Sequence, residues 1–345
     1  MNQIRPSRHQ TEQQLREALR DRIMGFRTTQ MIHVAAKLGL ADRLAAGPRS
    51  PRELALAVGA DPQALHRLLR ALASLGIFAE DEHGDFILTP QAELLRSDVQ
   101  GSLRDTALLY GEDWLWQVYG GMMHSMRTGA PAFVKVHRQP LYGYLHEDPR
   151  AAAQFNAAMN SFARHEAAAV LEAFDFGSAE CVVDIGGGRG AMLAALLRAH
   201  PHLTGVLFDL PSVLEGATEL MSETGISERV RCRAGDFFEE APAGADLYVM
   251  KSVLHNWDDV DAHRILATCR AAMKPEARLL VIEQVVTPGN VPSESKLHDI
   301  NMLVVAGGRE RTESEYRALF RQAGLALQRM ATTRAPLSVM VATPL

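Results

Sequence analysis

The chain reads as an α/β protein: a doubly wound parallel sheet that ends in an antiparallel hairpin, preceded by a helical module. Three observations predict this. From 181 onward, short β-branched runs alternate with apolar helical stretches, the pattern of strand–helix–strand units. Within Cys181-Val182-Val183-Asp184-Ile185-Gly186-Gly187-Gly188-Arg189-Gly190, a strand passes into a helix through clustered glycines. Ahead of it, three helical stretches and two short β-runs follow in the order of a winged helix.

Size and composition narrow the classes. The 345 residues suffice for two cores, and 47 % apolar with 22 % charged residues is ordinary for a globular protein. A formal charge of −5 argues against a protein that lives on nucleic acid. Cys181, Cys232 and Cys269 form no C-x-x-C and cannot all pair, as expected of reduced thiols. The opening Met-Asn-Gln-Ile-Arg-Pro lacks the apolar run of a signal peptide. No window approaches the roughly 18 uninterrupted apolar residues of a membrane span, so a cytoplasmic location is expected.

Three regions are expected: a winged-helix-like domain over 1–100, a helical segment over 101–175 and an α/β domain over 176–345. Residues 11–46 read as one amphipathic helix, with Leu15, Leu19, Ile23, Met24, Met31 and Ile32 on its apolar side. Its apolar length suits an interface between subunits. Ser50-Pro51-Arg52-Glu53 is a helix start with a capping pair and an early proline. A further helix starts at Asp61-Pro62, with Leu65, Leu68, Leu69, Leu72 and Leu75 on one face. Gly76–Ala79 and Phe86–Leu88 then flank a hairpin turn. The would-be recognition helix carries His66, Arg67 and Arg70 but little further basic charge, which favours packing or dimerisation over DNA.

The stretch 100–175 is rich in aromatic residues and methionines, among them Trp114, Tyr119, Tyr142, Phe155, Met159 and Phe162. Such a set serves as core, or as an adaptable lining for a flat apolar ligand. Beyond it, strands are predicted at 181–185, 204–208, 230–233, 246–250 and 278–282. Helices fit at 191–200, 212–222, 261–273 and 313–323, and a hairpin at 325–333 and 337–343.

Several residues in this frame carry chemistry. Glycines 186, 187, 188 and 190 permit positive φ and close approach of a ligand to the backbone. Asp209 ends the second strand, where a carboxylate can accept both ribose hydroxyls or cap the helix that follows. Asp236-Phe237 follows the third strand and suits an adenine amino group and ring face, or a simple turn. His255, after the fourth strand, hangs over the same crevice, and an imidazole accepts a phenolic proton at neutral pH. Glu283 ends the fifth strand and Glu310 lies beyond it; either can orient the ring through its far nitrogen. None of the other twelve histidines is expected to share this placement, and no zinc-binding spacing occurs.

Six segments recur in the order of one family: Val182–Gly190, Phe208–Pro211, Gly235–Phe238, Leu254–Asp259, Asp299–Leu303 and Gly307–Thr312. Over nearly its whole length the chain resembles the S-adenosylmethionine (SAM)-dependent O-methyltransferases that include plant caffeate and bacterial antibiotic-tailoring enzymes. The resemblance implies a class I methyltransferase sheet behind a winged-helix-like dimerisation domain, and an intertwined homodimer. It implies that Asp184, Gly186, Gly188, Asp209, Leu210, Asp236, Phe237 and Lys251 hold SAM, and that His255 is a general base beside Glu283 and Glu310. It places Trp114, Phe155, Met159, Asn256, Asn301 and Met302 around the acceptor. Asn256 departs from the Asp usual in the plant enzymes. The middle segment most resembles enzymes acting on phenazines, anthracyclines and other fused rings. Phenolic O-methylation without a metal is the expected reaction. Three alternatives stay open: an NAD-dependent dehydrogenase, a DNA-binding regulator that senses SAM, and a SAM-binding relative turned to hydroxylation or decarboxylation.

Overall fold

The computed structural model describes residues 11–345, so the polar opening Met1 to Pro6 lies outside the described residues. Two compact units divide between Gln117 and Val118.

In the first unit, α1 (Glu12–Lys37) starts on a reciprocal cap between Thr11 and Gln14. The single helix expected over 11–46 is two. Gly39 adopts a left-handed conformation (φ 64°) that ends one helix and starts α2 (Leu40–Leu44). Helix α3 (Pro51–Val58) begins on the Ser50–Glu53 capping box, and α4 (Pro62–Ala73) begins where Asp61 accepts the Ala64 N–H. Leu65, Leu69 and Leu72 of α4 pack with Leu40, Leu44 and Leu54 against the antiparallel pair β1 (Phe78–Glu80) and β2 (Phe86–Leu88). Leu75, beyond the end of α4, is exposed. Leu15, Leu19, Ile23 and Phe26 recur at helical spacing along α1, each about half exposed. No described residue of their own unit covers this stripe, which suits a face that another subunit covers.

The second unit begins with short helices and the long helix Pro149–Ala173, capped by Asp148. Seven strands follow: β3 (Cys181–Ile185), β4 (Thr204–Asp209), β5 (Val230–Ala234), β6 (Leu247–Lys251), β7 (Arg278–Gln284), β8 (Leu325–Thr332) and β9 (Leu337–Pro344). Their order is β5-β4-β3-β6-β7-β9-β8, parallel except where β9 runs against β7 and β8. Alternation along β3 sends Val182 to one core, with Leu193 and Leu207, and Val183 to the other, with Tyr248 and Leu279. The chain leaves β3 toward β4 and β5, then returns on its other side to β6. The carboxyl end of β3 is therefore the switch point where ligands of such sheets bind.

A second expected helix is divided, and one more stands where the sequence predicts none. The stretch 212–222 forms two short helices, Pro211–Leu214 and Ala217–Glu223, because Gly216 takes φ 85° between them. Beyond β7, the helix Glu294–Asn301 runs into a π-helical turn, Met302–Ala306, closed by Gly307 in a left-handed conformation. Such turns carry one extra residue per hydrogen-bonded ring and concentrate at functional sites.

Candidate active site

The glycine turn after β3 is built for close approach. Gly186 takes φ 67°, and a Cβ there would lie 2.9 Å from Val253 and 3.4 Å from the Phe237 ring. At Gly187 a Cβ would lie 2.6 Å from both Asp184 and Leu207. Gly188 also has positive φ but faces open space. Its N–H donates to Asp209 Oδ2 at 2.8 Å, while the Leu210 N–H donates to Asp209 Oδ1 at 2.7 Å. Asp209 is thus aimed by the glycine turn, and the following helix starts without its side chain. Burial raises the Asp209 carboxyl's pKa despite these two donors. Asp184 is buried, and burial together with the charge of Asp209 pushes its pKa up to about 7 against the pull of Lys251. Asp236 accepts the Phe238 N–H at 2.9 Å, which presents Phe237 edge-on to Trp257. Leu210 is nearly half exposed at the rim.

The second cluster sits after β6. Ser252 has φ 55°, a conformation costly outside glycine. It turns the chain so that the Val253 and Leu254 N–H groups both donate to Glu283 Oε1, at 3.0 and 2.9 Å. His255 follows, 8 % exposed, its Nδ1 2.8 Å from Glu310 Oε1 and 3.4 Å from Glu283 Oε2. Burial opposes the imidazolium, but the charges of Glu283 and Glu310 and the Glu310 hydrogen bond outweigh it, so the His255 pKa is raised. Burial likewise opposes the Glu310 carboxylate, yet hydrogen bonds from His255 and His298 leave its pKa lowered. Nδ1 is committed to a carboxylate, so Nε2 is the ring's free acceptor.

His298 corrects the expectation that no other histidine shares this placement. Its Nδ1 lies 2.7 Å from the same Glu310 oxygen, and its ring centroid is 5.5 Å from that of His255. The helix Glu294–Asn301 brings it there, and the Glu310 N–H ties the two segments together by donating to Asp299 Oδ1. His255, His298 and Glu310 offer ligand atoms within 4.8 Å of one another, a spacing that can also hold a metal ion.

Known proteins resemble the chain over most of its length. An O-methyltransferase domain model matches residues 119–326, and an O-methyltransferase dimerisation domain model matches residues 21–98. The chain belongs to the O-methyltransferase family. It is 41 % identical over 323 residues to a phenazine O-methyltransferase of Lysobacter antibioticus, covering 94 % of each chain. It is 42 % identical over 300 residues to an 8-amino-8-demethylriboflavin N,N-dimethyltransferase of Streptomyces davaonensis, covering 85 % of each. A neocarzinostatin-biosynthesis O-methyltransferase crystallised with SAM and 2-hydroxy-5-methyl naphthoic acid superposes with a TM-score of 0.79 at 35 % identity, covering 92 % of this chain and 96 % of that one. The protein is a SAM-dependent methyltransferase, and its dimerisation domain supports a homodimer. No described helix is long and apolar enough to cross a membrane.

The residues of the crevice fit SAM. Its sulfonium and ammonium are cationic, and the crevice holds two carboxylates, one of them with a buried oxygen, Asp184 Oδ2, that has no hydrogen-bond partner among the described residues. Lys251 pairs with Glu166 at 2.7 Å, which leaves the local balance negative. Phe155, Met159, Phe162 and Glu166 recur at helical spacing along Pro149–Ala173, so one face of that helix carries all four. Asn301 accepts a hydrogen bond from the Tyr119 hydroxyl, and Met302 is buried beside it in the π-helical turn. The Asn256 amide donates to the Ser252 and Val253 carbonyls and so braces the His255 turn. Trp114 is buried in the first unit of the methyltransferase. Met123 and Met126, grouped in the sequence with the aromatic lining, are more than half exposed.

Two contributors, Glu166 and Arg311, give little sequence signal, while Tyr142 belongs to the aromatic set the sequence already marks. Glu166 follows Phe155, Met159 and Phe162 at helical spacing, the one hint of its place. Tyr142 stacks on Trp257 with centroids 6.2 Å apart. Arg311, wholly buried, donates to the Leu254 and Trp257 carbonyls and to Asp259, which fixes both ends of the His255 turn.

Proposed function

We propose that the enzyme moves a methyl group from SAM to a phenolic hydroxyl of a fused-ring arene, with His255 as general base and without a metal. When bound, SAM supplies a methyl carbon already activated by its sulfonium. The chain's residues hold, orient and deprotonate. Asp184 and Asp209 give the crevice the negative charge that a sulfonium needs, and Asp209 is aimed to accept ribose hydroxyls. Gly186 and Gly188 keep its floor open, with Leu210, Asp236, Phe237 and Lys251 around it. Phe155, Met159, Asn256, Asn301 and Met302 form the acceptor side of this reading.

The observation that carries it is the buried Nδ1 contact of His255 with Glu310 at 2.8 Å, which fixes the tautomer and leaves Nε2 to take a proton. Glu283 and Glu310 stabilise the imidazolium as it forms, as an acid behind a histidine does in other base pairs. Both carboxylates are too deeply buried to leave unpaired, so they favour the protonated ring. The dimethyltransferase relative acts on an amine, so aromatic amines belong in the test as a second acceptor class.

The test is mass spectrometry of the enzyme incubated with SAM and hydroxylated phenazines, naphthoates and simple phenols, with amino analogues alongside. A gain of one methyl on a fused-ring phenol, with demethylated SAM as co-product, is expected. His255→Ala is expected to keep SAM affinity while turnover of a weakly acidic phenol falls about 100-fold or more. Methylation of amines alone, or a His255→Ala variant near full turnover, overturns the proposal.

A further inference from the structure

We propose that His298 is a positioning residue of the proton-accepting centre: it divides Glu310 between two imidazoles and so keeps His255 able to release its proton after each turnover. The inference rests on the reading of His255 as base. One oxygen, Glu310 Oε1, accepts from His255 Nδ1 at 2.8 Å and from His298 Nδ1 at 2.7 Å. The Glu310 side chain is fully buried, and its other oxygen has no hydrogen-bond partner among the described residues. The two rings tilt by 31° with centroids 5.5 Å apart, so the carboxylate oxygen is shared between them.

The groups around His255 show why sharing matters. Glu283 faces it from β7, Glu310 from the loop after Gly307, Lys251 from the end of β6 and His298 from the helix Glu294–Asn301. His298 meets Glu310 and His255, while its neighbour Asp299 is engaged by the Glu310 N–H. Two buried carboxylates on one imidazole would hold a proton so firmly that the base would begin each cycle already protonated. The His298 N–H on Glu310 Oε1 takes up part of that oxygen's accepting capacity and so weakens that hold. Its cost to transition-state stabilisation is small, because Glu283 still faces the imidazolium.

The sign of the effect follows. Without the His298 donor, all of Glu310's charge falls on His255, the imidazolium is favoured and the pH below which the base is lost moves up. Asn places an amide N–H close to where His298 holds Nδ1, whereas Leu offers no donor. In His298→Leu, the acid limb of kcat/KM is expected to move up by about one pH unit, the scale of one hydrogen bond to a charged group. Activity then falls about 10-fold on that limb and by less than about threefold at the alkaline plateau. His298→Asn is expected to restore the wild-type limb.

The experiment pairs pH–rate profiles of the full-length enzyme and both variants with 15N-histidine titrations of the resting protein, the His255 signal being assigned by its loss in His255→Ala. A limb and a His255 titration that both rise in His298→Leu and return in His298→Asn support the proposal. An equal loss of activity at every pH, with the His255 titration unmoved, overturns it and marks His298 as merely structural. If His255→Ala retains turnover, the base reading fails, and the titrations alone decide whether His298 divides Glu310. Should His298→Leu not fold, His298→Ala, which also lacks a donor, takes its place in both measurements, and an unmoved His255 signal in it refutes the sharing.

Discussion

Arg311→Met is the perturbation that best separates the support of the His255 turn from its chemistry. The Arg311 side chain is 0 % exposed, and its Nη1 and Nη2 donate to the Leu254 and Trp257 carbonyls at 3.0 and 2.9 Å. Those carbonyls lie on either side of His255, whose own carbonyl accepts the Arg309 N–H at 2.8 Å. The turn also meets Gly308, where a Cβ would stand 2.0 Å from the His255 oxygen. Each bond from a charged donor to a buried carbonyl is worth about 1.5–3 kcal/mol. The third bond, to Asp259, whose side chain is 57 % exposed, adds at most about 1 kcal/mol. Methionine refills part of the volume, which offsets some of the loss. A net cost of about 3–4 kcal/mol follows, or a fall in Tm of roughly 6–15 °C for a protein unit of this size. A loosened turn also misplaces His255, the proposed base, so kcat is expected to drop about 10-fold or more while SAM affinity changes little. Calorimetry and single-turnover kinetics read the two effects, and Arg311→Lys, which can reach one carbonyl, should fall between. A variant within about 1 kcal/mol and twofold of the parent in both refutes the account of Arg311 as the turn's anchor.

Four further outcomes are expected. Asp184 in the free enzyme titrates at about 7, and a bound cation favours its charged form, so SAM affinity should be full above that pH and weaken as pH falls through it. Calorimetric titrations between pH 5.5 and 8.5 check this, with Asp184→Asn expected to bind weakly and without the pH dependence. Gly187→Ala would drive a methyl into Asp184 and Leu207 and is expected to cost about 1–3 kcal/mol of stability and at least tenfold in SAM affinity. Gly188→Ala meets open space, so it should cost only the roughly 1–2 kcal/mol of its left-handed backbone. Exhaustive chelation, checked by elemental analysis, should leave methyl transfer unchanged; a loss restored by a divalent ion would mean that His255, His298 and Glu310 hold a metal.

How far the molecule is legible in its sequence depends on the range over which each feature is set. Strand β3 runs over Cys181–Ile185 as read, and Asp61 and Ser50 cap the helices they precede, because each of these choices is made by a few neighbouring residues. The break at Gly39 and the split at Gly216 carry an equally local signal, a glycine inside an apolar helical pattern, which periodicity alone overrides. Glu283 is legible for a different reason: parallel strands put their carboxyl ends on one edge of the sheet, so an acid at the end of β7 can meet a histidine just beyond β6. Glu310, beyond the π-helical turn, is legible from the segment Gly307–Thr312 that carries the family resemblance. His298 has neither signal. It sits 43 residues from His255 and 12 from Glu310, on a helix whose approach to the sheet is fixed by side-chain packing and by the Glu310–Asp299 contact. Its one hint is that it precedes Asn301 by three residues, which puts both on the same helix face. Arg311 is hidden for the same kind of reason, since an arginine between Glu310 and Thr312 reads as surface until its carbonyl partners fold around it. The proton affinity of His255 is therefore a property of four segments acting at once, and no window of sequence contains it. A histidine can be singled out from its place after a strand, but its proton affinity must be read from the partners that folding brings to it.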